Sequence, residues 1–177
     1  ATRRKMKIFL IGLPGSGKTT LGKALAAHLA SSFVDLDSEV EQAEGQSIQS
    51  LFSKKGEDYF RKCEAAALAR CCQATGNFVM ATGGGTPCFH DNLKTMNQAG
   101  LTIFLDVPSR EIAERLKRTN LAERPLLARL NDDDLKDKIE FLRSQRINAY
   151  RNARITLTGA TISPNDLITK ITNYTQP

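Results

Sequence analysis

Short apolar runs alternate with amphipathic stretches along most of the chain. Lys7–Leu13 (KIFLIGL) is almost continuously apolar, as a strand buried on both faces would be. A helix is predicted from about Lys18 to Ala30, and Phe33–Asp37 (FVDLD) predicts a second, short strand. Ser47 has the character of an N-cap for a helix ending near Gly56, and Glu57–Thr75 predicts a long helix closed by Gly76. Phe78–Thr82 (FVMAT) is a third strand, running into Gly83-Gly84-Gly85. A helix from about Asp91 to Ala99 ends at Gly100, Leu101–Val107 is a fourth strand, and Ser109–Arg118 is again helical. Thr119–Asn131 contains Pro125 and mixed charges and predicts a loop or mobile excursion. Asp132–Arg151 is helical, Arg154–Thr158 is a fifth strand, and a last helix starts with Ser163 as cap and Pro164 in its first turn. Strands alternating with helices predict an α/β fold with a parallel sheet.

Gly12–Thr19 (GLPGSGKT) matches G-x-x-x-x-G-K-[ST] at every fixed position, and it lies after a buried strand and before a helix. Glycines let a backbone curl closely around phosphate oxygens, and the helix adds its positive dipole end. In such a P-loop Lys18 reaches the β- and γ-phosphates and Thr19 ligates Mg²⁺. The motif predicts binding of a nucleoside triphosphate with magnesium and leaves the acceptor open.

Asp35 and Asp37 are two apart at the end of the second strand, a spacing that puts both carboxylates on one face at the sheet edge where ligands bind. One could hold magnesium through water and the other hold or deprotonate an acceptor hydroxyl; equally, acids of this kind commonly end strands. Gly83–Gly85 stand at the same edge, either as backbone brought close to a ligand or as a flexible turn. Arg61 and Glu64 are i,i+3 on one helix face, so the acid can orient the guanidinium. Arg143, Arg146 and Tyr150 share a face of a later helix, and Arg124 precedes Pro125 in the excursion. Arginine forks suit carboxylate and phosphate. Asp106, ending the fourth strand, is a second candidate for the magnesium acid, and Asp35 is preferred. Asn131–Asp134 lack the glycine and distal glutamate of a calcium loop and read as a helix cap.

The 177 residues favour one domain with a core large enough to need no disulfide or structural metal. No apolar run approaches the ~18 residues of a membrane span, and the basic-then-apolar N-terminus feeds into the P-loop without a cleavage site. Met6 reads as the native start, with Ala1–Lys5 as a non-native remnant. Net charge is +6, which favours anionic ligands; the basic residues are scattered rather than interleaved with aromatics, which argues against nucleic acid. Cys63, Cys71, Cys72 and Cys88 have no metal-ligand spacing and suit a reducing cytosol.

Together GLPGSGKTT (12–20), FVDLD (33–37), Phe60-Arg61 with Glu64, ATGGGTP (81–87), FLDVP (104–108), ERPLL (123–127) and Arg146 through Tyr150 resemble the shikimate kinases, over about Lys7 to Arg151. The resemblance implies a three-layer P-loop kinase fold, its five-stranded parallel sheet flanked by helices. The core would span about 6–34, 76–116 and 131–177, with a substrate-binding helical subdomain at about 35–75 and a lid at about 117–130. It implies transfer of the γ-phosphate of ATP to the 3-hydroxyl of shikimate, with Mg²⁺, in a cytoplasmic and monomeric enzyme of the pathway to chorismate and the aromatic amino acids. The phosphates would lie on Gly12, Gly15, Ser16, Gly17, Lys18, Thr19 and Thr20, with Thr19 and Asp35 at the metal. Asp37 would contact the shikimate hydroxyls and activate the 3-hydroxyl; Arg61 and Arg146 would clamp the carboxylate, beside the Gly83, Gly84 and Gly85 backbone. Arg124 would close over the transferring phosphate and Arg118 would pack on adenine. The chain departs from many relatives at Gly159–Pro164, where they set an arginine or another polar residue against adenine.

Two rivals have their own signatures. A gluconate- or nucleotide-kinase-like enzyme would share the P-loop, but paired arginines favour a carboxylated acceptor. A nucleotide-binding switch should carry N-K-x-D, which is absent, and a dead relative should have lost Asp37 or the arginines.

Overall fold

The computed structural model describes residues 6–119 and 131–176. Five strands form one all-parallel sheet, β1 (Lys7–Ile11), β2 (Ser32–Asp35), β3 (Phe78–Ala81), β4 (Leu101–Asp106) and β5 (Ile155–Thr158), in the order β2-β3-β1-β4-β5. The helices are α1 (Lys18–His28), α2 (Leu36–Glu44), α3 (Ile48–Gln73), α4 (Asn92–Ala99), α5 (Ser109–Arg118), α6 (Asp132–Tyr150) and α7 (Pro164–Thr175). The three-layer arrangement inferred from the sequence is therefore the one observed.

Strand periodicity divides the core in two. Phe9 and Ile11 of β1 face one side with Met80 and Phe104, under Leu36, Leu68, Ile112, Leu135 and Tyr150 of α2, α3, α5 and α6. Ile8 and Leu10 face the other side with Val79, Ile103 and Leu157, under Leu21 and Leu25 of α1 and Leu167 and Ile171 of α7. β1 is buried on both faces, which is why its sequence shows an apolar run instead of alternation. Its central place carries the P-loop at its C-terminal end into the middle of the sheet edge.

One element departs from the sequence reading. The second strand stops at Asp35, and Leu36–Glu44 is helix, so Asp35 and Asp37 do not share a strand face. Asp35 is the N-cap, its carboxylate accepting the Ser38 N–H at 3.1 Å, and Asp37 lies in the first helical turn. Asp37 and Glu39 favour the dipole's positive end, and Gly45 ends the helix at φ 67°, a conformation that costs glycine little. These start and stop signals were present in the sequence, hidden by the alternation of FVDLD. The other caps follow expectation: Ser47 accepts from the Ser50 N–H, Asn131 from the Asp134 N–H, and Ser163 with Asp166 forms a capping box. Gly56, at φ 83° and ψ 174°, breaks α3 where the sequence predicted a helix end.

Candidate active site

The phosphate loop is built from local chain geometry. Gly12, Gly15 and Gly17 have φ of 151°, 83° and 96°. A Cβ on Gly12 would stand 2.9 Å from the Leu105 carbonyl oxygen, so this position excludes side chains on two grounds. Gly17 caps α1 with no side-chain bond, and no acid occupies the first turn, which leaves the helix's first N–H groups directed at an incoming anion. Lys18 folds over the loop, Nζ donating to the carbonyls of Gly12 at 2.7 Å and Leu13 at 2.9 Å. Ser16 is buried, and its Oγ has no hydrogen-bond partner among the described residues.

Beside the loop is a cavity of about 380 Å³, lined by Lys18, Thr19, Thr20, Asp35, Asp37 and Gly84 among others. The acid pair thus reaches the P-loop although its geometry is that of a helix start. Burial pushes Asp37 up to about 6, with the charges of Asp35, Glu64 and Glu41 adding to the rise and Lys18 opposing it. Among the described residues no group of three or more His, Cys, Asp or Glu could hold a metal ion. A magnesium ion carried in on phosphate oxygens needs no such group, since it keeps much of its water shell and takes one or two protein oxygens. The Thr19 hydroxyl and Asp35 carboxylate suit that demand.

The triple glycine is explained by space. None of Gly83, Gly84 or Gly85 has positive φ. A Cβ on Gly83 would stand 3.3 Å from Glu64 Oε2 and 3.6 Å from Asp37 Oδ1. One on Gly84 would meet Arg146 Nη1 at 2.7 Å and Pro14 Cδ at 2.8 Å, and one on Gly85 would meet Arg61 Nη2 at 2.5 Å. Backbone alone occupies the space where the P-loop, the acid and both arginines converge. Arg61 is buried and pairs with fully buried Glu64 at 2.9 Å, and Thr86 Oγ1 donates to the second Glu64 oxygen at 2.8 Å. The Tyr150 hydroxyl donates to the Gly84 carbonyl at 2.5 Å, securing α6 where it carries Arg146; burial pushes this phenol up to about 12.

The remaining sequence candidates separate. Arg143 shares a face with Arg146 in the sequence, but its Nη2 pairs with both Asp106 oxygens at 3.2 and 3.3 Å. Asp106 is thereby engaged with Arg143, whereas Asp35 lines the cavity. Arg118 is exposed at the end of α5. Arg115, which the sequence reading missed, faces inward instead. Its Nη1 donates to the Gly15 carbonyl at 3.3 Å, Nη2 to the Ala160 carbonyl at 2.6 Å, and Nε to Glu111 at 3.1 Å. It therefore ties the P-loop to the segment after β5. The basic last turn of α5 signalled such a role, but only helix phase relative to buried Ile112 and Leu116 selects the residue. Arg124, most of the expected lid and Ala1–Lys5 lie outside the described residues.

A P-loop that opens onto an acid, a buried arginine and a half-buried one defines a P-loop kinase acting on a small anionic acceptor. Comparison with known proteins narrows that class. Residues 14–176 match the shikimate kinase family model. The shikimate kinase of Phocaeicola vulgatus is 43% identical over 148 residues, 84% of this chain and 83% of the relative. That of Persephonella marina is 38% identical over 93% of this chain and 95% of its own. The crystal structure of shikimate kinase from Bacteroides thetaiotaomicron aligns with a TM-score of 0.86 at 34% identity, over 96% of this chain and 97% of that one. Shikimate kinase from Acinetobacter baumannii in complex with shikimate aligns with a TM-score of 0.81 at 31% identity, over 97% and 93%. The chain belongs to the shikimate kinase family, and its activity is ATP-dependent phosphorylation of shikimate. A gluconokinase from Sinorhizobium meliloti, at 16% identity and a TM-score of 0.58, shares the fold alone.

Proposed function

We propose that the enzyme transfers the γ-phosphoryl group of ATP to the shikimate 3-hydroxyl by positioning and charge neutralisation around Asp37. The P-loop N–H groups, Lys18, Thr19 and Thr20 hold the triphosphate. Thr19 and Asp35 would hold Mg²⁺, which when bound neutralises charge on the β- and γ-phosphates. Asp37 accepts the hydroxyl proton as the oxygen attacks phosphorus. With its carboxyl at about 6, it is mostly ionised at pH 7 and still basic enough to serve. Arg61 and Arg146 bind the shikimate carboxylate against the Gly83–Gly85 backbone, which fixes the ring so that one hydroxyl faces Asp37. Arg118 packs on adenine at the end of α5, and Arg115, one turn earlier, ties Gly15 to the Ala160 segment. Arg124 closes over the transferring phosphate, with the 117–130 segment as lid. The four thiols, unbridged in the structure, suit a reducing cytoplasm, and a monomeric state is the family expectation.

The observation that carries this reading is the convergence of Pro14, Asp37, Arg61 and Arg146 on three consecutive glycines. It sets the phosphate loop, the acid and the two arginines around one short stretch of backbone. The test is ADP release with shikimate, gluconate and nucleoside monophosphates as acceptors. Shikimate should give the highest kcat/KM, and faster turnover of either other class would overturn the assignment. No observation favours the gluconate reading.

A further inference from the structure

The turn Thr86–Phe89 follows the glycine triplet and has no part in the reaction described so far. Thr86 is fully buried and holds Glu64. Phe89, at the turn's other end, is a large apolar side chain left 37% exposed, so core packing does not account for it. Its ring centre lies 4.2 Å from Arg61 Cζ, closer than that of Phe60 at 5.1 Å. Arg61 is thus restrained from three directions: Glu64 takes Nη1, the Gly85 backbone abuts the fork, and Phe89 stacks against the guanidinium. Its Nε and Nη2 meet only Glu57 Oε1 among the described residues, at 3.4 Å each, and the Glu57 side chain is 54% exposed. That contact is long and solvated, so it exchanges for another carboxylate at little cost.

We propose that Phe89 is a positioning residue for the acceptor: its ring fixes the guanidinium plane of Arg61 for the substrate carboxylate. The inference rests on the reading of Arg61 as the carboxylate clamp. An aromatic ring suits this task for a physical reason. A buried acid in place of the ring, beyond Glu64 and the solvated Glu57, would compete for the N–H groups that bind substrate. A ring instead attracts the cation through its π-face and leaves the in-plane donors available. Thr86 and Phe89 therefore act on one guanidinium from a single short turn, the first through Glu64 and the second directly.

The test compares Phe89→Ala, Phe89→Tyr, Arg61→Ala and the Phe89→Ala/Arg61→Ala double variant by KM for shikimate, KM for ATP, kcat and Tm. Phe89→Ala should raise the shikimate KM by roughly 3- to 30-fold, the range of a cation–π contact, with ATP KM and kcat little changed. Phe89→Tyr should restore the shikimate KM to within about twofold, and Phe89→Ala should add less than about twofold in the Arg61→Ala background. An unchanged shikimate KM in Phe89→Ala overturns the proposal. So does an equal rise with and without Arg61, no rescue by tyrosine, or a rise shared by ATP and accompanied by a fall in Tm. If Arg61→Ala itself leaves shikimate KM unchanged, the clamp reading falls as well. If Arg61→Ala raises it and Phe89→Ala does not, only the positioning role falls.

Discussion

Replacing Glu64 by alanine tests the polar scaffold under the acceptor site. Glu64 is fully buried, accepts from Arg61 at 2.9 Å and from Thr86 at 2.8 Å, and stands close to Gly83. Its loss leaves a buried guanidinium without its main partner and a buried hydroxyl without an acceptor. Breaking a buried ion pair from one side costs about 3–5 kcal/mol. Glu57 already touches Arg61 at 3.4 Å and can take up part of the charge, which argues for the lower end, about 3 kcal/mol. For a chain of 177 residues each kcal/mol moves Tm by about 2–4 °C, so a fall of roughly 6–12 °C is expected. The freed guanidinium must be ordered again when substrate binds, and the shikimate KM should rise about tenfold or more. Glu64→Gln keeps the volume and one acceptor and should show a smaller loss on both measures. It also removes a charge that helps raise Asp37, so the acid limb of the rate profile should move below about 6. Thermal unfolding without ligands and initial rates across shikimate concentrations and pH make the measurement. A Tm shift under about 2 °C with unchanged shikimate KM would show that Glu64 does not organise Arg61.

The other predictions concern separate parts of the site. Asp37→Asn should keep ATP affinity, lose most turnover and abolish the fall in kcat/KM below about pH 6; retained turnover would remove the general base. Asp37 holds its proton more tightly folded than unfolded, so the ligand-free protein should lose stability as pH rises from 3.8 to about 6, and Asp37→Asn should flatten that slope in denaturant titrations. Gly85→Ala places a Cβ 2.5 Å from Arg61 Nη2, where Glu64 prevents the guanidinium from yielding; overpacking of about 1–3 kcal/mol should weaken shikimate binding by calorimetry while ATP binding persists. Arg115→Ala removes the tie between Gly15 and Ala160 and should raise ATP KM roughly tenfold with shikimate KM unchanged; an unchanged ATP KM would show that this tie does not support the nucleotide site.

What was legible in the sequence shares one property: the relevant atoms are close along the chain. The P-loop needs a strand end, glycines of positive φ and a helix start within eight residues, so Gly12–Thr19 declares both its shape and its chemistry. The caps at Ser47, Asn131 and Ser163 are local in the same way, as is the i,i+3 pairing of Arg61 with Glu64. Apolar runs bounded by turns were enough for an α/β sheet. FVDLD marks the limit, because strand alternation and a helix N-cap compete over the same five residues. Packing of Leu36 and Val40 into the core accompanies the helix there. The two acids reach the cavity by a different geometry than their spacing suggested.

Only the tertiary structure decided which residues meet across long separations. Gly84 is glycine because Arg146 and Pro14 come against it from 62 and 70 positions away, and nothing local to ATGGGTP records either neighbour. Helix phase against the sheet sends Arg146 to the glycines and Arg143 to Asp106, and turns Arg115 rather than Arg118 toward the P-loop. The sequence by itself determined the phosphate-loop motif and its place between β1 and α1. The choice of which charged side chains complete the acceptor site depended on the packing of distant helices, because arginines on a helix differ in role only through the face that their backbone presents.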